Sequence, residues 1–303
     1  MKPPSELALK GASVEEWTDV HFFRPAGIRV ARALGPTRVS ADQVTLAGLV
    51  VGMLAGPMLA IANVWLNLAG VALLVGSDVL DSADGQLARL RGTSTRLGRV
   101  LDGISDMARF LTLYLFLLVR MAHGQGWGAS WPAAVLILVV IWSHSLQGAT
   151  VDFVKNVYLE VGGSGGEADL PEDLEPESRT GGATLPRLAG RFYGAYVRRQ
   201  VLMFPASYRL VRSLRRSGRD AALAERYAAR QAPLLPVLTL IATNIRFALL
   251  AGAVLAGHVT WFLWATAVPM NVVMLAVILV HERNAAALLR QSAGRAPEPA
   301  VAD

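Results

Sequence analysis

The 303-residue chain contains no cysteine, which excludes disulfides, thiolate nucleophiles and cysteine-held zinc or iron–sulfur centres. Charge is scarce too: 17% of residues are Asp, Glu, Lys or Arg against 53% hydrophobic, and the mean hydropathy is +0.40. That balance is too apolar for an ordinary soluble domain. Lysine is nearly absent, 3 residues against 26 arginines, in a chain of net charge +6. In a membrane protein such basicity reads as contact with anionic lipid, and no nucleic-acid partner is expected. The opening residues, MKPPSELALKG, are polar and lack an apolar run followed by a small-residue cleavage site. No secretory signal is therefore expected, and the membrane helices themselves direct insertion.

What the chain has in plenty is apolar runs of about 20 residues, the length a helix needs to cross about 30 Å of hydrocarbon. The pattern predicts an all-α integral membrane fold with six transmembrane helices, at roughly 40–62, 66–90, 96–121, 132–154, 233–256 and 260–281. Before them, residues 14–34 alternate apolar and basic positions at helical spacing and read as an amphipathic interfacial helix broken near Pro25. Ser40-Ala41-Asp42-Gln43 has the capping-box pattern that starts a helix.

The connections 61–68, 121–131 and 255–261 contain no Lys or Arg, whereas Arg89, Arg91, Arg96, Arg99 and a dense basic set lie on the other side. The positive-inside rule then places both termini in the cytoplasm, with Trp65, Trp127, Trp131 and Trp261 forming an aromatic belt at the far surface. The expected organisation is a cytoplasmic N-terminus with the interfacial helix (1–39), four membrane helices (40–154), a cytoplasmic or interfacial insertion (155–231), two more membrane helices (232–282) and a cytoplasmic tail (283–303). Within the insertion, Gly162 to about Ser178 reads as a mobile acidic loop without apolar residues for a core, followed by basic helices from Leu185 to about Arg230.

The decisive stretch runs from 81 to 106. Asp81, Asp84 and Ala88 stand at i, i+3 and i+7 on one helical face, and Gly98, Asp102 and Asp106 at i, i+4 and i+8 on the next. A short basic turn makes the two helices antiparallel neighbours, so their acidic faces can converge. The carboxylates could simply cap helices or pair with Arg89, Arg96 and Arg99. Against that, a carboxylate at the centre of a membrane helix costs about 2.5–3.5 kcal/mol, and clustered like charges repel. Something cationic must neutralise them. A site of oxygen donors with no sulfur and no nearby histidine suits Mg²⁺ or Mn²⁺, and two such ions about 4 Å apart would clamp the oxygens of a phosphoryl transfer.

At every fixed position from Asp81 to Asp106 this pattern, D-x-x-D-G-x-x-A-R, eight residues, then G-x-x-x-D-x-x-x-D, resembles the CDP-alcohol phosphotransferases. The resemblance implies that Asp81, Asp84 and Asp102 ligate metal, and that Asp106 is both ligand and general base. Gly85, Ala88, Arg89 and Gly98 would meet the nucleotide, Arg89 at the diphosphate. It also implies a transferase of phospholipid synthesis at the cytoplasmic face of a bacterial inner membrane. CDP-diacylglycerol and a polar alcohol acceptor, such as inositol phosphate or glycerol phosphate, would be its substrates, CMP its leaving group, and membrane lipids and a second copy in a homodimer its partners. Two alternatives stay open: a CDP-choline or CDP-ethanolamine enzyme acting on a lipid alcohol, and, from another class, a divalent-cation transporter.

Acceptor-binding candidates are Arg246 and Asn244 in the fifth apolar span and Arg109 one turn beyond Asp106. An intramembrane guanidinium faces either a polar cavity or a carboxylate. Asp78, one turn before Asp81, either supports the site or pairs with an arginine. Asp42 stands where the family more often has asparagine. His144, alone on the fourth span, reads as a packed helix-contact residue.

Overall fold

The computed structural model describes residues 14–93, 96–125, 131–162, 167–174, 184–218 and 220–293, and all the regular structure among them is helical. A π-helical turn, Asp19–Phe23, leads into α1 (Arg24–Leu34), with Pro25 in the first turn where its missing N–H costs nothing. Then come α2 (Ala41–Ala60), α3 (Val64–Arg91), α4 (Arg96–Gln125) and α5 (Trp131–Val161). The insertion supplies α6 (Thr184–Met203), α7 (Pro205–Ser217) and α8 (Ala221–Gln231). The chain closes with α9 (Thr243–Leu255), α10 (Thr260–Ala267) and α11 (Pro269–Ala293).

Among the described residues, five segments are long and apolar enough to cross a membrane: Ala41–Ala60, Val64–Arg91, Trp131–Val161, Ala221–Leu255 and Thr260–Gln291. The sixth expected span, α4, has the length at 30 residues, but Asp106, Arg109 and Arg120 interrupt its apolar stretch. These charges belong to interactions inside the bundle, as described below. The fifth span is continuous α-helix only over α9. Pro233 and Pro236 break the chain before it into 3₁₀ and single-turn pieces over 232–241. The last span breaks at Val268, just before Pro269, and α11 then runs on to Ala293, so the expected cytoplasmic tail begins as helix.

The expected capping box forms: the Ser40 hydroxyl accepts from Gln43 N at 3.1 Å, and Gln43 Oε1 accepts from Ser40 N at 2.9 Å. α2 packs most closely on α3 and α4, with Gly48, Gly52 and Gly56 forming a small-residue stripe at the contact. Gly52 is the tightest point, since a Cβ there would stand 2.5 Å from Cδ of Arg109. Trp65, Trp131 and Trp261 are exposed at the starts of α3, α5 and α10, where the aromatic belt was expected. Trp127 lies outside the described residues.

One core fills the space among α2, α3, α4, α5, α9 and α10 around Leu59, Leu74, Tyr114 and Phe262. A second joins the far end of α5 to the insertion and α11, with Phe204 stacked on Phe153 at 4.7 Å between ring centres. There the Glu282 carboxylate of α11 accepts hydrogen bonds from Ala206 N at 2.6 Å and Ser207 N at 3.0 Å, satisfying orphan donors at the start of α7.

The expectation of a coreless acidic loop is corrected for residues 167–174. Ala168 and Leu170 are buried in the second core, and Asp169 accepts from the Tyr193 hydroxyl. Arg215 of α7 binds Glu160 at 2.6 Å and Asp173 at 2.6 Å, so the acidic charge is the counterpart of the basic helix rather than a solvated tether. The remainder of the expected loop, 163–166 and 175–178, lies outside the described residues.

Candidate active site

Asp81 and Asp84 reach the site from α3 and Asp106 from α4, and one side chain ties the two helices together there. Arg109 of α4 donates from Nη1 to Asp78 Oδ1 at 2.9 Å and to Ser77 Oγ at 2.6 Å. Its Nη2 bonds Asp106 Oδ1 and lies 3.9 Å from Asp81 Oδ1. Ser77 passes the link on to α2 by donating to Gly48 O at 2.7 Å. Asp81 and Asp106 thus stand on either side of one guanidinium between α3 and α4, and Asp78 proves to be its third carboxylate partner.

Thr45 of α2 completes the frame. Its hydroxyl donates to Asp84 Oδ2 at 2.5 Å, which fixes a carboxylate that is otherwise buried. Asp102 and Gly98 belong to the described helix α4, but their side-chain surroundings lie outside the described residues. Asp42 is exposed in the first turn of α2, where a carboxylate complements the helix dipole, and it stands apart from the cluster.

The donors are all carboxylate oxygens, and Arg109 sits among them as a stand-in cation. Among the described residues no three metal-ligating side chains are gathered at ion-holding separation; Asp102, the fourth acid, is outside that set. By donor type, carboxylate oxygens with no sulfur and no imidazole among them, these side chains suit a hard divalent ion. Arg89 is exposed and makes no ion pair among the described residues. A Cβ on Gly85 would meet nothing nearer than Arg89 Nη1 at 3.5 Å, so among the described residues no helix packs against that position of α3.

The acceptor candidates are placed differently. Arg246 is 1% exposed, with Nη2 donating to Gln147 Oε1 at 2.6 Å and Ile241 O at 2.9 Å, and it forms no ion pair among the described residues. It joins α9 to α5 inside the bundle. Asn244 donates to Glu16 Oε2 at 2.9 Å and Asp19 Oδ1 at 2.8 Å, tying α9 to the N-terminal segment. Burial pushes the Glu15 and Glu16 carboxyls above the ordinary glutamate range; Arg24 beside Glu15 and Lys155 beside Glu16 pull the other way. His144 is packed, as expected, with Nδ1 2.7 Å from the Tyr114 hydroxyl and its ring edge-on to Phe110.

The sequence reading missed two contributors. Thr45 carries only the weak signal of a hydroxyl one turn inside a membrane helix. Arg91, counted as a positive-inside charge, caps the turn between α1 and α2 by donating to the carbonyls of Val39, Leu34, Gly35 and Thr37.

Residues 38–158 match a protein family described as CDP-alcohol phosphatidyltransferase. Proteins from Mycobacterium bovis and Mycobacterium tuberculosis, each named "Putative cardiolipin synthase", are 33% identical over a match covering 31% of this chain and 44% of theirs. The match therefore spans less than half the length of those relatives.

Proposed function

We propose that the CDP-alcohol phosphatidyltransferase domain at residues 38–158 transfers the phosphatidyl group of CDP-diacylglycerol to an alcohol, releasing CMP, in the synthesis of membrane phospholipid. The observation that supports this reading is the hold of Arg109 on Asp106 of α4 beside Asp81 of α3, two fixed positions of the signature. In the reaction the acceptor hydroxyl oxygen bonds to the phosphorus that bears the diacylglycerol. The bond from that phosphorus to the departing CMP oxygen breaks, and the hydroxyl proton passes to Asp106.

Asp81, Asp84, Asp102 and Asp106 would hold the divalent ion on which the family generally depends, Mg²⁺ or Mn²⁺ and two ions in our reading. Bound there, it supplies positive charge to the developing negative charge at phosphorus. Thr45 holds the Asp84 carboxylate by a hydrogen bond. Arg89, which is exposed and in no ion pair among the described residues, would take the diphosphate, and the small residues Gly85 and Ala88 would let the nucleotide approach α3. The basic connections support an active site facing the cytoplasm of a bacterial inner membrane.

A soluble phosphorylated acceptor would need a free cationic cradle, yet Arg246 is sealed in the bundle, Arg109 holds carboxylates and Asn244 holds the N-terminal segment. That placement favours a second reading of the acceptor. Cardiolipin is two phosphatidyl groups bridged by glycerol, so a phosphatidyl transfer ending in it takes phosphatidylglycerol as the alcohol. An acceptor of that kind arrives from the bilayer.

The test is CMP release by purified protein from CDP-diacylglycerol with glycerol phosphate, inositol phosphate or phosphatidylglycerol, the lipid products being separated by chromatography. Metal-dependent CMP release with a new phospholipid, and no ion uptake into proteoliposomes, supports the reading. Absence of CMP release with every acceptor and metal, or ion uptake in its place, overturns it.

A further inference from the structure

We infer that Arg109 and Asp78 together set how tightly the aspartate cluster holds its divalent ion, with Arg109 as a built-in competitor for the carboxylates and Asp78 as the anchor that draws it back. This rests on the reading of the aspartates as metal ligands. Neither residue belongs to the signature stretch. Arg109 nevertheless divides its fork between the two roles: Nη1 holds Asp78 and Ser77, while Nη2 holds Asp106 and approaches Asp81. One edge of the guanidinium is withdrawn from the cluster, and the other occupies oxygens that a metal would use.

The surroundings are shaped to keep it there. Gly52 is the only residue type that lets the Arg109 stem pass, because a Cβ would lie 2.5 Å from its Cδ and 2.8 Å from Ser77 Oγ. Ser77 is itself fixed by its bond to Gly48 O. Nε of Arg109 is buried with no hydrogen-bond partner among the described residues, so the fork is not fully satisfied by them where it stands, as a purely structural rivet would be. A positive charge within about 4 Å of carboxylates lowers the negative potential that any further cation meets. Removing that charge frees ligand oxygens. Removing its anchor releases the guanidinium onto Asp81 and Asp106.

The two substitutions therefore act in opposite directions on metal affinity, which loss of packing alone would not do. The experiment is Mn²⁺ titration, read by electron paramagnetic resonance, on the purified full-length protein without nucleotide. Arg109→Gln is expected to bind Mn²⁺ at least fivefold tighter than wild type, Arg109→Lys to stay within about twofold, and Asp78→Asn to bind at least threefold weaker. Gly52→Ala displaces the arginine stem without removing any charge and is expected to tighten binding too, which covers a failure of Arg109→Gln to fold. Equal or weaker binding by Arg109→Gln and Gly52→Ala, or equal or tighter binding by Asp78→Asn, overturns the inference. If the wild type binds no Mn²⁺, or Asp81→Ala binds it unchanged, the metal reading itself fails, a result distinct from the first.

Discussion

A carboxylate that takes a proton from an alcohol has to be held still and yet reachable, and Asp106 meets both conditions. One oxygen is bonded by Arg109, while 49% of its side-chain surface is exposed. Asp106→Asn keeps the shape but cannot accept the proton, so we expect turnover to fall by roughly 10²- to 10⁴-fold with thermal stability nearly unchanged. CMP release at near wild-type rate would remove Asp106 from the role of base. That Asp81 and Asp106 stand close to one another was legible in the sequence, because the i, i+3 and i+4 spacing gives each helix one acidic face and the short turn sets those faces side by side. The partners of the arginines were not, since spacing cannot say whether Arg109 or Arg246 turns to a carboxylate, an amide or a ligand. Glu16 is a similar case. Burial raises its pKa in the folded chain, so the folded state retains a proton that the unfolded state has released. Its contribution to stability is full below the ordinary glutamate pKa and is lost as pH rises through the raised value. The melting temperature should therefore decline across that window in the wild type and decline less in Glu16→Gln; identical profiles would show that Glu16 does not titrate there.

At the scale of elements, period and length foretold most helices, and the exceptions share a cause. α4 carries Asp106, Arg109 and Arg120 because each finds a partner inside the bundle, Arg120 donating to Asn67 Oδ1 at 2.6 Å and to Leu59 O at 3.1 Å. Composition alone counts such charges against a span. The acidic stretch misled in the same way: its Asp173 meets Arg215, 42 positions away in sequence, and its Glu172 meets Arg212, which no local pattern reveals. Leu170, fully buried between α5 and α7, is the hydrophobic peg of that contact. We expect Leu170→Ala to destabilise the fold by about 2–5 kcal/mol, the range for deleting a buried leucine. Glu172→Ala, which removes a half-exposed pair with Arg212, should cost less than about 1 kcal/mol. Thermal unfolding of both variants in the same detergent decides the matter. If the two melt alike, residues 167–174 are not part of the folded core.

The whole molecule is asymmetric across the membrane in two independent ways. Arginines crowd the side that carries the aspartates, and exposed tryptophans mark the starts of α3, α5 and α10 on the other. The two asymmetries have different physical origins, since cationic loops resist translocation while indole rings settle at the headgroup level. The expected orientation can be tested cleanly because the chain has no cysteine to remove first. Thr93→Cys, between α3 and α4, and Ser217→Cys, at the end of α7, introduce exposed thiols on the side of the aspartates. Ala62→Cys, between α2 and α3, and His258→Cys, between α9 and α10, place exposed thiols on the other. With a maleimide that cannot cross membranes, the second pair should be labelled in intact cells, and the first pair only after the membrane is opened. Reversal of the two pairs would turn the aspartates outward, against the cytoplasmic site proposed above. Unequal labelling of Ala62→Cys and His258→Cys would mean an odd number of crossings between them. In that case α4, the helix whose charges weaken its apolar stretch, could not be spanning the bilayer as a full partner of α3, and the convergence of Asp81 with Asp106 would have to be built at the membrane surface instead.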